Sequence, residues 1–175
     1  MKIDMKAAAN CGLIVGIVGV IVLLLPTYGV IDSQAGLLSF LLNVIEIAAF
    51  VYAIYYYKHH FATSVFTYGR GIKVALAIGL FYGIIKGLAQ FLIFSFDMDV
   101  VARTVDLAKR QIAEMNLQPE VANQMLESMS IATNPWMLFF SQIFSSLIFA
   151  LFVSLIAMIF LKEKEDYTSV MRDVE

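Results

Sequence analysis

Cysteine and histidine are scarce in this sequence, which limits the sites that it can build. Cys11 is the single cysteine among 175 residues, so an intramolecular disulfide is excluded. The two histidines, His59 and His60, are adjacent, and adjacent residues of a helix point about 100° apart, which makes them poor partners for one ion. Because zinc prefers three or four ligands, we expect no metal site, and no cofactor is indicated.

Charge of either sign is also sparse. Only 15% of the residues are charged, and the formal net charge is −2. A balance this close to neutral does not indicate nucleic acid or an acidic ligand as a partner. A glycine-rich phosphate loop is missing too, since Gly69-Arg70-Gly71 reads as a turn.

Apolar residues, by contrast, make up 61% of the chain, and the mean hydropathy is +0.82. They are concentrated in residues 7–25, 37–57, 72–96 and 136–161. About 20 apolar residues are enough for a helix to cross a hydrocarbon core of about 30 Å. These stretches are continuous and lack the alternation of barrel strands. The sequence therefore predicts an all-α integral membrane protein with four transmembrane helices, in a single membrane domain of residues 1–175.

The first apolar stretch is expected to remain as a span. Residues 7–25 exceed the 7–15 residue apolar region that is usual for a signal peptide, and no A-x-A cleavage site follows Pro26. Lipidation of Cys11 is not expected either, because its neighbour Asn10 is not the small residue that such processing requires.

Lysine and arginine favour one side of the membrane, and this bias sets the orientation. Eight lie in the N-terminal segment, the link between spans two and three, and the C-terminal tail: Lys2, Lys6, Lys58, Arg70, Lys73, Lys162, Lys164 and Arg172. Three lie in the long link between spans three and four: Arg103, Lys109 and Arg110. Both termini, including the tail of residues 162–175, are therefore predicted to be cytoplasmic, whereas the short link around Asp32 is predicted to be outside.

The one sizeable segment outside the spans is residues 97–135, on the predicted outer side. Apolar residues recur there at the spacing of a helix: Val101, Val105, Ala108, Ile112 and Met115. Pro119 suits the start of a second short helix, so we expect an amphipathic helical hairpin over the outer mouth of the bundle. Such a hairpin is either an ordinary solvent-facing cap or a contact surface for a protein partner or a second copy.

Several short motifs resemble a known family. Residues 67–71 read T-Y-G-R-G before span three, and residues 129–136 read M-S-I-A-T-N-P-W where the outer segment meets span four. With the charged end of span two and the basic end of span four, they resemble the bacterial four-helix membrane family catalogued as domain of unknown function 4199. The resemblance covers nearly the whole chain. It implies a four-span topology in a bacterial membrane and no established activity, so no catalytic residue is carried over.

Two ionisable residues lie within the predicted spans. Glu46 is nine residues from the outer edge of span two, and Lys86 is ten from the outer edge of span three. Both therefore lie roughly 14–15 Å deep, and because the two helices are antiparallel neighbours, the charges can meet. Asn43, Gln90 and, in span four, Gln142 lie somewhat nearer the outer surface. We predict a buried polar seam between spans two, three and four that these five residues form.

This seam has two interpretations. The first interpretation is a structural ion pair that holds the helices in register, because charged side chains within a membrane usually pair with groups in the protein interior. A path for a proton, an ion or a solute is the second. Transporters commonly show internal repeats or broken helices, but no convincing repeat is present, and no proline interrupts spans two to four.

Glycine spacing predicts close helix contacts. Gly12 and Gly16 form a small-xxx-small step in span one, and Gly79, Gly83 and Gly87 form two such steps in span three. Such faces let two backbones approach closely and gain dispersion contacts. We expect packing within the bundle, with homodimerisation as the alternative.

No catalytic constellation is predicted. Ser141 and Ser145 lie in the outer half of span four, whereas His59 lies at the cytoplasmic edge, out of hydrogen-bond reach. The predicted function is therefore a non-enzymatic, multi-pass protein of the bacterial inner membrane, acting as a structural, scaffold or accessory component in contact with membrane lipids. The alternative is a small transporter or channel that uses the polar seam.

Overall fold

The fold consists of helices joined by short connections. The computed structural model describes residues 3–28, 36–62, 65–115 and 118–162. Its helices are α1 (Met5–Thr27), α2 (Gly36–Phe61), α3 (Tyr68–Phe96), α4 (Met98–Glu114), α5 (Pro119–Ala132) and α6 (Pro135–Leu161). Four of them, α1, α2, α3 and α6, are long and apolar enough to cross a membrane, which confirms the predicted all-α class with four spans. The link around Asp32 and the tail beyond Lys162 lie outside the described residues.

Side chains at the helix ends explain where two spans begin. The Asp4 carboxylate accepts hydrogen bonds from the backbone N–H groups of Lys6 and Ala7, each at 3.0 Å, and so satisfies donors that the first turn of α1 leaves free. Asn134 does the same for α6 by accepting from the Trp136 N–H at 2.9 Å, with Pro135 in the first turn.

Helix α3 is the centre of the bundle. It packs closely along α1 on one side and α6 on the other, while α2 packs mainly on α1 and only sparsely on α3 and α6. The core contains fully buried apolar residues such as Phe50, Ile54, Val74 and Ile78. Many large apolar side chains point outward instead, among them Phe152, which is 62% exposed. An apolar exterior suits a bundle surrounded by hydrocarbon, where lipid tails are as apolar as the side chains.

The predicted glycine positions lie where spans approach one another. A Cβ atom added at Gly12 would lie 2.6 Å from the Cβ of Phe81, and one at Gly16 would lie 2.9 Å from the Cβ of Ile85, so α1 uses both glycines to approach α3. Any side chain larger than hydrogen would separate the two backbones there.

On its opposite face, α3 presents the other three glycines to α6. A Cβ atom at Gly79 would collide with Ala150, one at Gly83 would lie 2.8 Å from the Cβ of Ser146, and one at Gly87 would lie 3.1 Å from the Phe139 ring. Close approach without side chains explains why α3 and α6 form the most extensive contact of the bundle.

Helices α4 and α5 form the hairpin between the third and fourth spans. Helix α4 is amphipathic and buries Val100 and Ile112, and α5 begins at Pro119, as predicted. In the described part of the chain, the hairpin packs on α3 and α6 and makes no extensive contact with α1 or α2. It thus lies beside the ends of the two spans that it joins rather than over the whole mouth of the bundle. The connections to α3 and α6 are only one and two residues long, which keeps it there.

A contact between Tyr28 and Asp97 links the end of α1 to the start of α4. A hydrogen bond to the Asp97 carboxylate, partial burial and the negative charge together raise the pKa of the Tyr28 hydroxyl. The protonated phenol is therefore favoured in the folded chain. Any stability that the contact provides is fully present up to the ordinary tyrosine pKa of about 10 and is lost as the pH rises further.

Candidate functional site

Glu46 of α2 and Lys86 of α3 form an ion pair inside the bundle. The Lys86 Nζ atom lies 2.5 Å from Glu46 Oε1, and the two side chains are only 13% and 9% exposed. Glu46 is ten residues from Gly36, and Lys86 is ten from Phe96, at the end of the bundle where the hairpin is attached. At 1.5 Å per residue, both charges lie about 15 Å from that end. The structure thus brings together the two residues that the depth calculation places side by side.

Tyr82 is the third member of this cluster, which we call the polar triad (Glu46, Tyr82 and Lys86). Its hydroxyl donates to Glu46 Oε1 and accepts from Lys86 Nζ at 3.0 Å. The Lys86 ammonium also lies 5.4 Å from the centroid of the Tyr82 ring, within the range of a cation–π contact. The sequence analysis missed Tyr82, although its position four residues before Lys86 places both on one helix face.

Gly19 of α1 covers the triad from the side opposite α6. A Cβ atom there would lie 2.6 Å from Tyr82 Cε2 and 3.3 Å from Glu46 Oε1. The sequence analysis missed this residue as well, because it follows Gly16 by three positions and breaks the four-residue glycine spacing. Through Gly19, α1 contributes to the polar site without contributing a polar side chain.

Beside the triad, a cleft of about 310 Å³ opens between α2, α3 and α6. It is lined by Asn43, Glu46, Ile47, Tyr82, Lys86, Gln142, Ser145, Ser146 and Phe149. Ser146 is almost fully buried and accepts a hydrogen bond of 3.4 Å from the Gln142 amide. Asn43 and Ser145, by contrast, are exposed at the rim. The cleft therefore combines a charged floor with an uncharged polar rim.

Four of the five residues of the predicted seam line this one cleft, and Gln90 does not. The Gln90 Oε1 atom is buried and has no hydrogen-bond partner in the described part of the chain. Although Gln90 follows Lys86 by four residues on the same helix, it is not among the residues that line the cleft. Both interpretations of the seam, a structural ion pair and a path for a proton, an ion or a solute, stay predictions.

Aromatic side chains gather at both ends of the spans. At the hairpin end, the Trp136 ring lies 4.8 Å from that of Phe91, centroid to centroid. At the opposite end of α2, the His60 ring stacks on that of Tyr56 at 4.1 Å, and the His59 ring lies tilted against that of Tyr55 at 4.3 Å. Amphipathic rings are enriched where a membrane meets water, so these clusters suit the two interfaces.

Within the residues that the structure describes, fold and site together indicate a membrane protein, with four helices apolar and long enough to span a bilayer and a buried polar cluster between them. The model of the family described as "Protein of unknown function (DUF4199)" matches residues 10–163, so this chain belongs to that family. The match confirms the resemblance carried by the T-Y-G-R-G and N-P-W motifs. No curated protein and no solved structure matches the chain.

Proposed function

We propose that this protein is a non-enzymatic, multi-pass component of a bacterial inner membrane, with a structural, scaffold or accessory role. Its termini would be cytoplasmic and its α4–α5 hairpin would face outward, as the bias of lysine and arginine indicates. The observation that carries the proposal is the polar triad, because each charge is engaged by partners within the bundle.

Such a triad supports a structural role for physical reasons. An ionised side chain in hydrocarbon is costly unless it is paired, and pairing fixes the rotation and depth of both helices. Helix α2 has sparse packing on α3, so the link from Glu46 to Lys86 and Tyr82 supplies a specific connection between them.

The hairpin is the proposed contact surface for a protein partner or a second copy. A groove of about 530 Å³ runs between α4 and α5 and is lined in part by Ile112, Met115, Val121 and Met125. Met115 and Met125 are 57% and 41% exposed. Flexible, polarisable methionine side chains adapt readily to another apolar surface, which supports a binding role.

Site-specific photocrosslinking in intact membranes tests this proposal. A photoreactive amino acid at Met125, in the groove, should give one discrete adduct, and the same group at the exposed Asp106, which does not line the groove, should not. An adduct of twice the chain's mass would identify a second copy, and another mass a different protein. Equal, diffuse labelling at both positions would contradict the contact role.

The cleft beside the triad favours a second candidate, a small transporter or channel. A polar cavity at the depth of Glu46 is the kind of feature that marks a solute or ion path. This candidate requires flux across liposomes that Glu46→Gln removes while the bundle still folds. A wild-type protein that moves no member of a broad panel of ions and solutes would contradict it.

A further inference from the structure

Two polar side chains at the rim of the cleft are exposed at a depth where the surroundings are hydrocarbon. Asn43 lies seven residues from the start of α2, and Ser145 lies ten from the start of α6. These spacings place them about 10 and 15 Å from the hairpin end. A polar group is unfavourable in hydrocarbon unless it has a hydrogen-bond partner. Their exposure therefore calls for a polar occupant of the cleft.

The triad keeps hydrogen-bonding capacity for such an occupant. Both hydrogen bonds to Glu46 end on Oε1, and none to Oε2 is found among the described residues. An ammonium group has three N–H donors, and Lys86 uses one for Glu46 and one for Tyr82. Glu46 Oε2 thus remains as an acceptor and the third N–H group of Lys86 as a donor, on two residues that are neighbours in space and line the cleft. A hydroxyl group, which donates one hydrogen bond and accepts others, complements this pair.

The charges indicate that the occupant is uncharged. Glu46 and Lys86 neutralise each other at 2.5 Å, so a bound ion would have to compete with one partner and leave the other unpaired. The remaining polar residues of the lining carry no charge: Asn43, Tyr82, Gln142, Ser145 and Ser146.

The size and opening of the cleft indicate an occupant that comes from the membrane. A volume of about 310 Å³ is at the lower end of the range for small-ligand pockets, enough for a head group but not for a whole lipid. The exposed lining residues Asn43 and Ser145 belong to α2 and α6, which pack only sparsely on each other, so the cleft opens between these two helices. Phe40, one turn nearer the hairpin end than Asn43, is 63% exposed, and Ile148, one turn deeper than Ser145, is 43% exposed. The rim of the cleft is thus continued by apolar surface in both directions, against which hydrocarbon chains can lie.

We propose that the cleft binds the uncharged, hydroxyl-bearing head of a membrane lipid, as found in a diacylglycerol or a long-chain alcohol. The hydroxyl would donate to Glu46 Oε2 and accept from Lys86 Nζ, with Asn43 and Ser145 around it. The hydrocarbon chains would lie outside, along α2 and α6.

Photolabelling of the full chain in phosphatidylcholine nanodiscs tests this proposal. The probe is a diacylglycerol with a diazirine close to its hydroxyl, and mass spectrometry locates the label. We expect the label on the peptides of α2 and α6 that line the cleft. Unlabelled diacylglycerol should compete, whereas the excess phosphatidylcholine should not, because its head group is charged and bulky. Competition by a long-chain alcohol would show that the hydroxyl suffices, and its failure would assign the site to the glycerol head.

A matched pair of variants on α6 controls for general effects on lipid contact. Ser145→Leu places an apolar group at the rim of the cleft, and Ser141→Leu makes the same change one turn away, at an exposed residue that does not line it. We expect labelling to fall about tenfold in Ser145→Leu, the effect of losing a hydrogen-bonding contact, and to be unchanged in Ser141→Leu.

Three results would overturn the proposal: equal labelling of the two variants, label spread over all exposed faces of the spans, or lack of competition by diacylglycerol. Each would mean that the lipid touches the bundle only as surrounding solvent. If Ser145→Leu does not fold, the position of the label on the wild-type chain and its competition by diacylglycerol decide the matter alone.

Discussion

The Glu46 carboxylate accepts hydrogen bonds from both the ammonium of Lys86 and the hydroxyl of Tyr82. Each of the three groups is mostly buried, so removing any one of them leaves a partner without the interaction that offsets its loss of solvation. At the scale of residues, the stability of the bundle therefore depends on the triad as a unit.

The first prediction concerns the ion pair itself. Glu46→Gln and Lys86→Met should each destabilise the bundle by about 3–5 kcal/mol, because each leaves one buried charge unpaired. The double variant should recover much of that loss, since neither charge remains. Thermal unfolding in detergent of the wild type, both single variants and the double variant measures the coupling.

Lys73→Met is the matched control for Lys86→Met, because Lys73 lies on the same helix but is exposed. It should melt close to the wild type. If Glu46→Gln and Lys86→Met also melt like the wild type, the charges lie in a hydrated cavity rather than in a packed pair. The flux assay then becomes the more informative experiment.

The second prediction concerns Gly19. Gly19→Ala should destabilise the bundle by about 1–3 kcal/mol, because the added methyl would lie 2.6 Å from the Tyr82 ring. Gly69→Ala is the control, since a Cβ atom there has no neighbour within 4 Å and alanine favours a helix. Thermal unfolding compares the two variants. Equal melting temperatures would mean that α1 does not seal the triad.

At the scale of helices, the two ends of α1 are tied to other elements. Asp4 caps the first turn, and its backbone N–H donates to the Tyr57 hydroxyl of α2 at 3.0 Å. Tyr28 follows the last turn and lies beside Asp97, at the start of the hairpin. These contacts orient α1 along α3 together with the glycines, whose role is to permit close approach rather than to supply polar contacts.

The third prediction tests the cap of α1. Asp4→Ala should destabilise the protein by about 1 kcal/mol, because two N–H groups of the first turn lose their acceptor. Asp4→Asn keeps a side-chain oxygen at the cap and should retain most of the stability. Hydrogen exchange at the amides of Lys6 and Ala7 gives the local readout. Unchanged exchange in Asp4→Ala would show that the cap is not needed.

At the scale of the whole molecule, the four spans and the hairpin define two ends, and the predicted orientation assigns a membrane side to each. The N-terminal end of α1 lies with the end of α2, as the Asp4–Tyr57 contact requires. The hairpin lies at the opposite end, beside the last turn of α3 and the first turn of α6. A residue at each end can therefore report the topology.

The fourth prediction uses cysteine labelling in a Cys11→Ala background, which removes the native thiol. In intact cells, a membrane-impermeant maleimide should label Arg110→Cys in the hairpin. It should label Lys6→Cys only after the membrane is permeabilised, because the N-terminal end is predicted to be cytoplasmic. The reverse pattern would invert the orientation, and labelling of both in intact cells would refute the even-span topology.

Some of this architecture could be predicted from local properties of the sequence. The spans follow from the length and continuity of their apolar stretches, and all four predicted stretches lie within observed helices. The depth of Glu46 and Lys86 follows from counting residues along regular helices, and this is sufficient to place the two charges at one level.

The rotation of each spanning helix about its own axis, by contrast, could not be predicted from the sequence. The spans are apolar on all faces, so no hydrophobic stripe indicates which face points inward, in contrast to amphipathic α4. Only tertiary packing decided that Tyr82 and Gly19 join the charged pair, that Gln90 lies outside the cleft, and that α2 packs only sparsely on α6. Those features depend on which backbones approach most closely, and close approach is a property of pairs of helices rather than of any one segment.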